Sequence, residues 1–261
     1  MQEDLEGYRQ FAEELALEAG EITLSYFHSE IEVDLKADDS PVTVADRETE
    51  RFIRARIGAR YPDHTIIGEE GGEEGRDSRY SWIIDPIDGT RAFIHGVPLY
   101  TVLIAFAVDA EPLLGVIHAP ALRETVSGAV GCGTRYNGGR TTLSGERKLS
   151  KARLHATDFA DLYARFPEGT SALLSQAKNA RTWADGYGYL MLVTGRADLM
   201  LDPAMHLWDI APLYPILNEA GASWLDFQGR RDMPGDSIIA AASSELLESA
   251  FSTLTTASPS A

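Results

Sequence analysis

Two aspartates three residues apart, Asp85 and Asp88, stand at the end of a short apolar run, Trp82-Ile83-Ile84. The run reads as a buried strand, and Pro86 bars its simple continuation. Two carboxylates on one tight turn repel each other, and burying them unpaired costs several kcal/mol. A hard cation such as Mg²⁺ takes such oxygen ligands. Gly89-Thr90 follows at once, where glycine permits close backbone approach and N–H groups at a helix start attract phosphate. Metal plus phosphate is the first chemical reading. The sequence D-P-x-D-G is also good turn chemistry, so this stretch alone allows a plain strand-to-turn junction.

Other carboxylates sit at comparable junctions. Residues 65–68 read as a short strand that delivers Glu69-Glu70 to Gly71-Gly72. Thr43 and Asp46 fit the T-x-x-D capping pattern, so Asp46 serves either a helix start or the chemistry. Asp209 stands near the start of a helix predicted over 208–220, with Pro215 expected to kink it. A covalent nucleophile is not evident. The G-x-S-x-G pattern is absent, and Cys132 has no His or basic neighbour in sequence. His118 reads as a strand histidine without a catalytic role.

The elements that must position these groups follow from periodicity. A long amphipathic helix is predicted over 4–28 and a second from Thr43 to about Tyr61-Pro62. On the second helix Glu48, Glu50, Arg51, Arg54 and Arg56 read as a solvated face with local ion pairs. Residues 33–36, 101–108, 113–118 and 125–130 read as strands, and 91–95 as one helical turn. Polar residues 141–150 mark a lobe boundary, dividing the chain into 1–145 and 146–261. Beyond it strands at 154–157, 197–201, 222–227 and 238–242 alternate with helices at 159–166, 171–178, 186–193 and 244–254. The tail from 255 is expected to fray.

Composition narrows the class. The 261 residues carry a formal net charge of −17, from 23 basic and 40 acidic side chains. That excludes a nucleic-acid or anionic-membrane surface as the main function, and it leaves bound metal to supply positive charge for a phosphate. One cysteine excludes an internal disulfide and suits a reducing cytosol. The acidic start, Met1-Gln2-Glu3-Asp4, lacks a signal peptide's basic region, and the apolar run 102–108 is too short to span a bilayer. A cytoplasmic protein is the expectation.

The chain resembles the inositol monophosphatase superfamily over nearly its full length. The family's first signature reads here as Trp82-Ile83-Ile84-Asp85-Pro86-Ile87-Asp88-Gly89-Thr90. The second reads as Leu207-Trp208-Asp209-Ile210-Ala211, followed by Asn218-Glu219-Ala220-Gly221. Gly68-Glu69-Glu70 matches the upstream acidic element, and Lys36, Ser40-Pro41-Val42-Thr43 and Asp46 match the early lobe. The resemblance implies a layered α-β-α-β-α sandwich, mixed α/β and α+β, with two lobes and a metal site between them. It implies Mg²⁺, two or three ions per site, held by Glu69, Asp85, Asp88, Asp209 and the carbonyl of Ile87. It puts Gly89 and Thr90 at the phosphate, and pairs Asp46 and Thr90, with Glu69, around an attacking water. Lys36, Glu70 and His206 are supporting residues in this scheme. A homodimer is a further implication.

The substrate is a small phosphate ester. Where classical inositol monophosphatases carry a small-residue segment, this chain has Trp183-Ala184-Asp185-Gly186, and with Tyr187-Gly188-Tyr189 it looks closer to the histidinol-phosphatase branch, an activity of histidine biosynthesis. Asp185 in the pocket, opposite the metals, favours an ammonium group, which histidinol phosphate has and inositol phosphate lacks. The alternative reading is that Asp185 caps or turns the segment before Gly186. Asp202 matches an acid that contacts the leaving group in several branches. Inositol monophosphate is the alternative substrate. A catalytically silent metal- or phosphate-binding homologue is the alternative class, distinguished by Mg²⁺-dependent phosphate release.

Overall fold

A computed structural model of the chain describes residues 4–29, 33–35, 41–75, 78–183, 185–231, 233 and 235–256. Lys36 and the loop residues 38–40 lie outside the described residues, as do 257–261 of the tail. The first helix spans Leu5–Tyr26, with Asp4 capping it by accepting the Gly7 N–H at 3.1 Å. The second spans Val44–Arg60. Ala12, Leu15 and Ala19 of the first and Ile53 and Ile57 of the second share one apolar cluster with Trp82, Ile84, Ile104 and Phe106. These two helices form the outer layer over an eight-stranded sheet.

That sheet is an antiparallel meander from Tyr80–Asp88 through Thr101–Val108, Glu111–Ala119, Glu124–Ala129 and Gly133–Tyr136 to Gly139–Arg140. On its other side Thr65–Gly68 lies parallel to Tyr80–Asp88, and Gly72–Glu74 closes the edge. The strand Thr101–Val108 is buried at every residue. Its alternation explains why: Val102, Ile104, Phe106 and Val108 meet the outer helices, whereas Leu103, Ala105 and Ala107 face the next layer.

The next layer is helical: Asp185–Val193, Leu207–Ile210 and Leu213–Ala220. Its Leu190, Leu213 and Leu217 pack with Leu103, Ile117 and Val126 of the large sheet and with Met200 and Ala240 of a second sheet. The second sheet has five strands, in the order Asn179–Arg181, Arg153–Ala156, Leu199–Asp202, Ile238–Ala241, Ser223–Leu225. Its far face is covered by Phe159–Arg165, Pro167–Gln176 and Ser244–Thr256, joined through Leu162, Leu173, Leu199, Leu201, Leu246 and Leu254. The layers therefore run α-β-α-β-α, as expected.

The middle helices sit very close to the large sheet because two glycines lie opposite one another on adjacent strands, Gly115 and Gly128. A Cβ at Gly115 would lie 1.9 Å from the Pro212 carbonyl oxygen, and one at Gly128 would lie 2.5 Å from the Ile216 Cα. The helix backbone thus occupies the trough that two missing side chains leave.

Some elements differ from the sequence reading. The single kinked helix over 208–220 is two helices, with Pro212 at the N-terminal boundary of the second. Pro215 falls in that helix's first turn, where its missing N–H has no intrahelical partner to lose, so it causes no kink. The segment 72–74 is an edge strand rather than a loop, and short strands appear at 133–136 and 179–181. The closing helix continues through residue 256, past the predicted start of fraying. Glu50 and Arg54, expected on a wet face, are nearly buried: Glu50 is 2% exposed and the Arg54 side chain 12%. No described helix is long and apolar enough to cross a membrane.

Candidate active site

The site begins with a fault in the large sheet. Asp85 pairs with Leu103 and Asp88 with Thr101, so three residues advance on one strand against two on its neighbour. In an unbroken strand, residues three apart point to opposite faces. The one extra residue at this bulge reverses the parity and returns Asp88 to the face of Asp85, toward the middle layer. Pro86 lies in the bulge, where an absent N–H interrupts nothing.

The turn is tied from several directions. Asp85 Oδ1 accepts the Ile87 N–H at 3.0 Å. Asp88 Oδ2 accepts the Thr101 hydroxyl and the Gly186 N–H, each at 2.6 Å. The second of these bonds joins the large sheet to the middle helices. Gly89 has the left-handed conformation, φ 80°, and starts the short helix Thr90–Ile94.

Asp209 comes from the opposite layer. Its Oδ2 accepts the His206 N–H at 2.7 Å, which fixes the carboxylate to the start of its own helix. One carboxylate oxygen from each of Asp85, Asp88 and Asp209 lies within 4.8 Å of the others. Glu69 stands beside Asp85, close enough to share a hydrogen bond and to raise its pKa by charge. Burial and the negative charges of Glu69, Asp88 and Asp209 together hold Asp85 well above the usual carboxylate range. Carboxylate oxygens so arranged, with Asp85 buried, are a hard-cation donor set. Divalent charge among them would offset the repulsion that raises these pKa values, so the residues fit a metal such as Mg²⁺.

Asp46 caps its helix and also faces Thr90. Its Oδ2 accepts the Thr43 N–H at 2.8 Å and the Thr43 hydroxyl at 2.6 Å, closing a capping box. Its Oδ1 faces the Thr90 hydroxyl at 3.4 Å, while that hydroxyl also lies 3.0 Å from the Ile87 carbonyl. Burial raises the Asp46 pKa, opposed by the bonds from Thr43.

Asp185 is not opposite the acids, as the sequence suggested, but among them. A Cβ placed on Gly89 would lie 3.0 Å from Asp185 Oδ2. Asp185 opens the helix Asp185–Val193 at φ 52°, and its N–H donates to the Thr157 hydroxyl at 3.2 Å. Both Asp185 and Asp202 are pushed up to about 7, first by burial, and Asp185 also by Asp202 and Asp209. Alternation along Leu199–Asp202 puts Asp202 on the face of Met200, toward the middle layer. There it accepts the Tyr189 hydroxyl at 2.5 Å. Thr101 and Thr157 escaped the sequence reading, and Tyr189 entered it only within the run Tyr187-Gly188-Tyr189, because their partners are distant in sequence and no local pattern marks these bonds. Glu70 lies on the turn with Glu69, and its N–H is taken by Glu50. The exposed His206 ring stacks on Trp208 at 5.0 Å, and its backbone N–H donates to Asp209.

A cavity of about 610 Å³ lies on the helix side of the Glu69–Glu70 turn, whereas Asp88, Asp185, Asp202 and Asp209 line a cleft of about 50 Å³. Volume does not mark the chemistry here; convergence of charge does.

These pKa values have a consequence for stability. A carboxyl that titrates near 7 when folded and near 3.9 when unfolded stabilises the fold while protonated, and the contribution is lost as pH rises through 7. In chelator, the protein is therefore expected to unfold at a lower temperature at pH 8 than at pH 6.5. Added Mg²⁺ should shrink that difference, because it favours the ionised form. The window stops at 6.5 because His118 and His155, both lowered to about 4 chiefly by burial, oppose the trend below it. Thermal unfolding at the two pH values, with and without Mg²⁺, checks this.

Comparison with known proteins agrees with the geometry. The family model described as "Inositol monophosphatase family" matches residues 4–258. The chain is 40% identical to a histidinol-phosphatase of Chlorobaculum parvum, covering 89% of this chain and 91% of that protein. It is 32% identical to a histidinol-phosphatase of Mycobacterium tuberculosis, covering 87% and 90%. The solved structure of an inositol monophosphatase from Zymomonas mobilis superposes with a TM-score of 0.85 at 32% identity, covering 97% of this chain and 99% of that one. The layered fold, the paired signatures and the match along nearly the whole length make this chain a member of the inositol monophosphatase family.

Proposed function

We propose that the chain hydrolyses histidinol phosphate, using Mg²⁺ held by Glu69, Asp85, the Ile87 carbonyl, Asp88 and Asp209. Phosphoric monoester hydrolysis is the activity class of the named relatives. The observation that carries the substrate is the Asp185 carboxylate set against Gly89. A carboxylate beside a phosphate seat repels the ligand unless the ligand brings a cation of its own. Histidinol phosphate carries an ammonium on the carbon next to its ester carbon, so one molecule satisfies both the seat and Asp185. Inositol monophosphate is the second reading, favoured by the likeness to the Zymomonas mobilis structure. A silent homologue is disfavoured because every acid of the scheme is present together with Asp46 and Thr90.

Bound Mg²⁺, two or three ions, would lower the pKa of water, neutralise phosphoryl charge and stabilise the leaving oxygen. The chain's own residues have separate tasks. Gly89 and Thr90 place the phosphate. The Thr90 hydroxyl takes a proton from the attacking water as its own passes to Asp46 Oδ1. Thr43 holds Asp46 Oδ2, so the carboxylate cannot turn away. Asp202, oriented by Tyr189, faces the leaving group. The reading includes a cytoplasmic homodimer in histidine biosynthesis, lobes meeting near residue 145, and support from Lys36.

The test is Mg²⁺-dependent phosphate release from histidinol phosphate and from inositol monophosphate. The expected preference is for histidinol phosphate, and a preference for inositol monophosphate reverses the assignment. Asp185→Asn sharpens the test, since asparagine tolerates positive φ and leaves the backbone in place. It is expected to lower kcat/KM for histidinol phosphate at least about tenfold, as loss of one charge-assisted pair implies. An ester without an amine should lose much less. Equal losses on both would make Asp185 structural.

A further inference from the structure

Behind Glu69 lies a nearly buried ion pair that the chemistry described above does not use. Glu50 is one helical turn beyond Asp46 on Val44–Arg60. Its Oε2 accepts the Glu70 N–H at 2.8 Å, and its Oε1 accepts the Gly71 N–H at 2.7 Å. Arg54, a turn further on, donates Nε to the same Oε1 at 2.8 Å and Nη2 to the Gly72 carbonyl at 2.6 Å. Its Nη1 reaches Glu74 Oε2 at 3.3 Å. The turn that follows Thr65–Gly68 therefore closes around a carboxylate and a guanidinium.

The sequence of the turn is shaped to this pair. A Cβ at Gly68 would lie 2.7 Å from both Arg54 Nη2 and Glu50 Oε1, and one at Gly71 would lie 2.8 Å from Glu50 Oε1. Neither glycine has a positive φ. Close approach, not backbone freedom, requires them.

We infer that Glu50 and Arg54 are positioning residues that hold Glu69 against Asp85 and so set the affinity of the carboxylate cluster for a divalent cation. When both are ionised, Glu69 and Asp85 repel each other where they sit, and the Glu69 charge also reaches Asp46. A turn fixed only by its strand would relax outward under that repulsion. Two part-buried charge-assisted bonds to the N–H groups that follow Glu69 resist the movement, and Arg54 keeps the Glu50 carboxylate oriented. Asp46 and Glu50, four residues apart, make one helix hold both the Thr90 partner and the Glu69 turn. The inference rests on the metal-site reading proposed above.

Calorimetric titration of Mg²⁺ into the metal-stripped full-length protein tests it without any turnover measurement. Glu50→Gln and Arg54→Gln change the local charge in opposite directions. Positioning predicts that both weaken Mg²⁺ binding, by at least about tenfold, the usual scale for residues that orient ligands. An effect of charge alone predicts that Glu50→Gln weakens binding and Arg54→Gln tightens it. Arg54→Lys, which keeps the charge, should recover part of the affinity. Gly71→Ala displaces the pair with no change of charge and should weaken binding in the same way, so it serves if a charge variant does not fold. Unfolding temperatures in chelator separate loss of fold from loss of affinity. Opposite shifts, or affinities equal to wild type, overturn the inference and leave the metal site standing. Failure of wild type itself to bind Mg²⁺ overturns the metal-site reading, and the inference with it.

Discussion

An Asp85→Asn variant is expected to lose more than about 100-fold in phosphate release and yet to unfold at a higher temperature than wild type in chelator. The loss exceeds the scale for residues that merely orient ligands, because Asp85 is itself a proposed ligand. The gain follows from the electrostatics of the metal-free cluster. Asp85 is buried beside Glu69, Asp88 and Asp209, and all three oppose its charge. A neutral amide removes that repulsion, and its oxygen can still accept the Ile87 N–H that Oδ1 accepts now. Added Mg²⁺ should raise the unfolding temperature of wild type by mass action and that of the variant much less. Thermal unfolding with chelator and with Mg²⁺, beside a phosphate-release assay, measures both halves. Full activity of the variant, or full wild-type activity in excess chelator, would sink the metal reading. A variant that is less stable in chelator would show that Asp85 chiefly supports its turn.

Thr90→Ala is expected to lower kcat by about 100-fold or more, the lower end of the range for a positioned proton-transfer group, with KM changed little. The Thr90 hydroxyl lies between the Ile87 carbonyl at 3.0 Å and Asp46 Oδ1 at 3.4 Å. Its present donation favours the shorter contact, and the longer one must tighten as the proton moves. Alanine keeps the helix start and the backbone N–H proposed to meet phosphate, so substrate binding should survive. Thr90→Ser restores the hydroxyl and should restore most of the rate. A steady-state comparison of the three proteins, with hydrolysis in ¹⁸O-water, checks the scheme. The label should enter phosphate, and a covalent phosphoryl-enzyme under turnover would contradict direct attack by water.

Much of the fold was legible because burial leaves a periodic trace. The apolar face of Leu5–Tyr26 and the continuous run Thr101–Val108 announce a helix on one side and a strand covered on both. Most of the acids were legible for a different reason: each lies at a junction, where turn and capping residues cluster. What local pattern could not supply was the neighbour across space. Glu50 and Arg54 look like any solvated helix pair until the Glu69–Glu70 turn folds over them. The parity reversal between Asp85 and Asp88 needs the register with Leu103 and Thr101. The position of Asp185 needs Gly186 bound to Asp88 across the layers. In each case the missing information is a long-range contact.

The glycine trough on the large sheet also constrains the order of events during synthesis. Among the described residues, one face of that sheet, with Leu103, Ile117 and Val126, is covered by helices that end at Ala220. Its last strand is complete at Arg140. About eighty residues must therefore emerge from the ribosome before the second face has its cover, roughly 4–16 s at typical elongation rates. Throughout that interval the nascent sheet offers an apolar surface with two adjacent strands bare of side chains at Gly115 and Gly128, a shape that admits foreign backbone as readily as its own. Release of the nascent chain near residue 145 would make this interval permanent, and such a fragment should aggregate rather than persist as half an enzyme.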